Sequence, residues 1–145
     1  MNKKKLMIVM GFIFVLAMIL LLSTLGTISA QGCRIIKIQS KMGQKGTIMV
    51  EPGTALISKG DCVVWFNRFP EANVKVTFEE GKRCVDQTKQ PTGGWNLNEK
   101  NCYVASWIPF TGTSDLRFME KGTYKYVVNA EGMGDIMAEG KIVVK

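Results

Sequence analysis

Lys59-Gly60-Asp61-Cys62-Val63-Val64-Trp65-Phe66-Asn67 runs straight into Arg68-Phe69-Pro70-Glu71-Ala72-Asn73-Val74. The turn Ser58-Lys59-Gly60-Asp61 precedes a segment, residues 62–67, built of strand formers. That segment is apolar up to Asn67, the pattern of a central strand buried on both faces. Residues 73–78 then alternate between apolar and polar, so one face meets a core and the other meets water.

The same pattern continues on either side. Upstream, residues 33–39 and 47–50 read as strands, the second stopped by Glu51-Pro52-Gly53, and residues 55–57 form a short third. Downstream, residues 79–101 lose periodicity and carry Gly81, Pro91, Gly93 and Gly94 around Trp95. A loop of that length in a compact domain is commonly functional or pinned. Residues 103–110 are apolar again. Residues 115–119 and 124–128 are strands about the turn Glu120-Lys121-Gly122-Thr123. A glycine-bearing loop, 129–139, leads to a last strand at 140–144. Short strands with turns at this spacing indicate a Greek-key sandwich or barrel.

Composition narrows the chemistry. The chain of 145 residues contains no histidine. That removes Ser-His-Asp and Cys-His nucleophiles, histidine-ligated zinc or haem, and an imidazole switch. The whole-chain net charge is +7, but Lys3, Lys4 and Lys5 precede the apolar run 6–22; the rest carries 16 basic and 12 acidic residues, a net +4. So mild a surplus, with no aromatics interleaved among the cations, argues against nucleic acid as a partner. The run 6–22 and the small residues ending at Ala30 have two readings. One is a secretory signal peptide cut after Ala30. The other is an uncleaved single-pass anchor helix through residues 6–28. In both, the lysines stay in the cytoplasm and residues 31–145 form an extracytoplasmic domain, in a periplasm or on the outer face of the cytoplasmic membrane. Ala30-Gln31-Gly32-Cys33 loosely matches a lipobox but lies too far beyond the apolar run. Four cysteines, Cys33, Cys62, Cys84 and Cys102, suit disulfides in an exported domain, with three pairings possible. The absence of C-x-x-C speaks against a redox motif or a zinc knuckle.

Four segments, in order, resemble the cupredoxins, the blue-copper β-sandwich family. Residues 59–67 resemble its K-G-D-x-V-x-W-x-N strand. Phe69-Pro70-Glu71-Ala72-Asn73-Val74 resembles F-P-H-N-V, which carries the first copper ligand. Residues 122–128 resemble G-T-Y-x-Y-x-C, which carries the cysteine ligand. Residues 137–144 resemble the closing M-x-G-x-I-x-V. The resemblance, nearest to azurins and spanning about residues 33–145, implies an all-β, cupredoxin-like Greek-key β-sandwich preceded by one N-terminal hydrophobic helix. It also implies a disulfide Cys33–Cys62, and with it Cys84–Cys102 across the long excursion, worth about 3 kcal/mol in the chain-entropy account.

The departures from the family decide the function. A type-1 copper site takes two histidines, a thiolate and a weak axial methionine. The matching positions here are Ala72, Val128, Glu131 (or Met133) and Met137. Alanine and valine donate nothing to a metal. The expectation is therefore a non-catalytic, metal-free binding or assembly module with a membrane or periplasmic protein partner. An alternative is copper handling or electron transfer through a site of Met133, Met137 and Glu131, since thioethers suit Cu(I). The plainer reading of those methionines is core filling. Glu71 and Glu131 could take a hard cation or do acid–base work, or be two solvated carboxylates. Trp95, among Lys82, Arg83, Lys89 and Lys100, either anchors a partner or folds back over the core. The same cations could instead touch acidic lipid headgroups.

Overall fold

The computed structural model describes residues 32–44, 46–79 and 94–145. The expected N-terminal helix lies outside them. The described residues form ten strands: β1 (Cys33–Ser40), β2 (Ile48–Glu51), β3 (Thr54–Ile57), β4 (Cys62–Asn67), β5 (Val74–Phe78), β6 (Trp95–Leu97), β7 (Tyr103–Ala105), β8 (Thr113–Arg117), β9 (Gly122–Ala130) and β10 (Met137–Val144). They make two sheets, ordered β2-β1-β4-β8 and β3-β10-β9-β5-β7-β6. Two of the pairings are parallel, β1 with β4 and β3 with β10, and the other strand pairings are antiparallel.

Period-2 alternation places the core between the sheets. Ile36, Ile38, Val63, Trp65 and Leu116 of the smaller sheet are buried, as are Val76, Phe78, Tyr124, Tyr126, Val128 and Ile142 of the larger. Trp65 stands edge-on to both Phe78 and Tyr126, with ring centroids 5.9 and 5.6 Å apart. Such edge-to-face contacts add to plain area burial. Tyr126 lies opposite Gly140 on β10, and a Cβ at Gly140 would fall 2.2 Å from its Oη. Only a residue without a side chain lets that ring cross β10. Burial drives the Tyr126 phenol well above its ordinary pKa.

Three expectations are corrected. First, β4 is central but not buried on both faces: Val64 and Phe66 are half-buried on the outer face, because no further layer of described residues packs there. Second, the excursion 79–101 contains a strand, β6, paired to β7. Third, the strand expected at 115–119 covers Thr113–Arg117, where its partner β4 sets the register.

Register also accounts for the staple. Cys33 faces Cys62 in the parallel β1–β4 pair, their Cα atoms are 4.5 Å apart, and the two are disulfide-bonded. This is the pairing that the resemblance implied. Cys102 is buried, and its expected partner Cys84 lies outside the described residues.

Candidate functional site

The C-terminal ends of β4 and β9 and the starts of β5 and β10 lie at one end of the sandwich. The connections 68–73, 106–112 and 131–136 meet there. Asn67 ties two of them together. Its side chain is fully buried. Its amide nitrogen donates to the carbonyls of Ile108 (2.9 Å) and Ala72 (3.2 Å), and its Oδ1 accepts from the Phe69 N–H (2.8 Å). The Asn67 carbonyl accepts from Thr111 N–H at 2.8 Å. Val74 and Ile108 exchange both backbone hydrogen bonds, at 2.8 and 3.0 Å. A buried amide with its donors and acceptor all engaged holds such a geometry, because every alternative leaves a buried polar atom unpaired.

The third connection is held across the gap between the loops. Asn73 Nδ2 donates to Glu131 Oε2 at 2.6 Å, and Glu131 N–H donates to the Asn73 carbonyl at 2.9 Å. The turn beyond closes through Met133 N–H to Ala130 O and Ile136 N–H to Met133 O.

The positions that match copper ligands have other employment. Ala72 is half-buried and packs against the core cluster. Val128 is fully buried on the inner face of β9. Glu131 is exposed and engaged by Asn73. Met133 also packs against the core cluster. Met137 pairs with Asn129 and is 50% exposed. It borders a groove of about 820 Å³ on the outer face of the larger sheet, with Thr77, Leu97, Val127 and Asn129. Met133 and Met137 therefore serve different environments, one toward the core and one toward the outer groove. Among the described residues no group of three or more His, Cys, Asp or Glu side chains is placed to hold a metal ion. The residues here do not fit a type-1 copper centre. Glu71, the other candidate carboxylate, is exposed.

Trp95 is corrected as an exposed anchor. It is only 6% exposed, with its ring 5.2 Å from Trp65 and 6.0 Å from Phe78. Pairing of β6 with β7 turns its side chain into the core, the pairing that the sequence pattern concealed. The cations Lys82, Arg83 and Lys89 lie outside the described residues.

Two aromatic residues at the loop end escaped the sequence reading. Trp107 is 39% exposed and Phe110 50%. Lys75 Nζ lies 4.2 Å from the Trp107 ring centroid, a cation–π contact worth about 0.5–1 kcal/mol at an exposed site. Phe110 occupies a turn closed by Gly112 N–H to Pro109 O (2.8 Å), in which Thr111 has φ of +61°. A β-branched residue in that region is strained and persists only when its surroundings hold it. Gly112 is required there, because a Cβ would meet Pro109 at 2.8 Å. The available signal was Pro109, which a strand interior does not accept; it takes its aromatic neighbours out of the sheet.

No family model matches the chain, and no curated protein matches it. Solved structures do. A copper(I) form of an amicyanin variant is 23% identical, with 80% of this chain and 85% of that chain covered and a TM-score of 0.52. An oxidised amicyanin variant is 24% identical over the same shares, with a TM-score of 0.51. A reduced variant is 21% identical, again over 80% and 85%, with a TM-score of 0.52. At this level of identity the likeness concerns the fold: the chain is an all-β, two-sheet sandwich of the cupredoxin kind, without the family's copper ligands.

Proposed function

We propose that this chain is a non-catalytic binding module at the outer face of a membrane, which holds a protein partner through its loop end. The observation that carries the reading is the pair Trp107 and Phe110. Both are exposed, on a turn strained at Thr111 and pinned from below by buried Asn67. Large aromatics on a rigid support are the residues that dominate protein interfaces, since little conformational entropy is lost when they are buried. Their place is the end where a copper carrier would hold its metal, and here a hydrogen-bonded clasp, Asn73–Glu131, joins the loops instead. Extracytoplasmic placement is supported by the sequence: Lys3, Lys4 and Lys5 before the apolar run, and disulfide-forming cysteines after it.

The test is cross-linking of the full chain in its own membranes, compared with Trp107→Ser, Phe110→Ser and a control, Ile35→Ser. Ile35 is also exposed but lies on β1. A cross-linked species lost in the two loop variants and kept in the control supports the reading. One that survives both loop changes overturns it.

A further inference from the structure

One row of side chains crosses the outer face of the larger sheet just below the loop end. Met137 on β10 stands opposite Asn129 on β9, and Asn129 stands opposite Lys75 on β5. On the other side of β5 the antiparallel bridge Val74–Ile108 sets Trp107 beside Lys75. Val74, Val76, Val128 and Ala130 are buried toward the core, so the residues that alternate with them face outward. Met137 and Trp107, at the two ends of the row, are 50% and 39% exposed. Asn129 and Lys75, between them, are half-buried. Three strand spacings separate the ends, roughly 14 Å. The groove of about 820 Å³ opens along the same face, past Thr77 and Val127.

Lys75 decides what can lie on this row. Its Nζ is 4.2 Å from the Trp107 ring centroid, and its stem runs between Asn129 and Trp107. Glu131, one row above on the same face, gives its Oε2 to Asn73 Nδ2. A partner that covers Trp107 also strips water from that ammonium. A ring face balances part of the charge but accepts hydrogen bonds poorly, so Lys75 then needs an oxygen acceptor from the partner. We infer that the partner is a protein segment lying across this row, with a carboxylate for Lys75 set between two apolar side chains for Met137 and Trp107. The inference rests on the reading of the loop end as an interface, and it extends that interface down the sheet, since Trp107 belongs to both. An extended segment whose alternate residues are apolar, acidic and apolar fits the length of the row, because two such steps cover roughly 13 Å. Asn129 can donate to and accept from the backbone of such a segment.

The experiment measures the yield of the cross-linked species of the full chain in its own membranes, for Lys75→Gln, Lys75→Arg and Met137→Ser beside the parent chain. Lys75→Gln is expected to lower the yield about tenfold and Lys75→Arg to restore most of it. Met137→Ser should lower it several-fold, with Ile35→Ser unchanged. The parent yield should fall as ionic strength rises from about 0.1 to 1 M, where the Debye length shortens from about 10 to 3 Å, and the Lys75→Gln yield should not. A species lost in Trp107→Ser and Phe110→Ser but kept at full yield in Lys75→Gln overturns this inference and leaves the loop-end reading standing. So does a loss in Lys75→Gln with the salt dependence of the parent, because Lys75 then only steadies the Trp107 ring. A species indifferent to all the loop and row variants, or none at all, overturns both. Cross-linking to lipid, or to a second copy of this chain, overturns the assignment of the occupant.

Discussion

Asn73 and Glu131 are joined twice, side chain to side chain at 2.6 Å and Glu131 N–H to Asn73 carbonyl at 2.9 Å. The two residues are 58 apart in sequence and belong to the two loops that a cupredoxin metal would bridge. The clasp is a charge-assisted hydrogen bond at the surface, worth about 1 kcal/mol. Glu131→Ala is expected to lower the melting temperature by roughly 4 °C. It should also speed amide exchange over residues 131–136 with little change at β4. Uniform acceleration would show that the clasp does not act locally.

Gly140→Ala puts a methyl group into the Tyr126 ring. Overpacking of this kind costs roughly 1–3 kcal/mol, read as a lower urea midpoint at unchanged slope. Because one contact causes the loss, Tyr126→Leu in the same chain should recover part of it. The double change is then less damaging than the two single losses added together.

Tyr126 Oη is buried, and beyond its interaction with the Trp65 side chain no well-formed hydrogen bond holds it among the described residues. Tyr126→Phe removes a buried hydroxyl and is expected to leave the domain equally stable at neutral pH, or more stable by about 1 kcal/mol. The pH dependence has a definite sign. Burial raises the folded-state phenol above its unfolded value of 10.0, so the stability linked to it is complete below that pH and declines as the pH rises further. Urea midpoints above pH 10 should fall less in Tyr126→Phe than in the parent chain.

Asn67→Ala removes three side-chain hydrogen bonds from a fully buried position and leaves Phe69 N–H, Ala72 O and Ile108 O to find other partners. The expected cost is on the order of 3 kcal/mol. The folded fraction should lose the cross-link made through the Trp107–Phe110 turn, since that turn hangs from Asn67. A cross-link retained at full yield would separate the turn from its support.

Met133 and Met137 should respond differently to truncation. Met133→Ala opens space against the core and is expected to cost about 2 kcal/mol, whereas Met137→Ala, at a half-exposed position, should cost little. Titration of the full chain with Cu(I) under a competing chelator should be unaffected by either change. Copper affinity lost in both would show that the two sulfurs converge in solution.

The sequence alone carried the β pattern, the order of the strands along the chain, the Cys33–Cys62 pairing through its family resemblance and the loss of copper ligands. Each is a local or compositional property: alternation along a strand, a turn residue, the absence of histidine. The tertiary structure decided the rest. Trp95 lies inside because a three-residue strand, too short to show a period, pairs with β7. Met133 and Met137 part company because one lies in the turn and packs inward, while the other opens β10 beside Asn129. Whether a side chain faces core or water in such segments depends on pairing between residues distant in the chain, and no window of sequence contains that information.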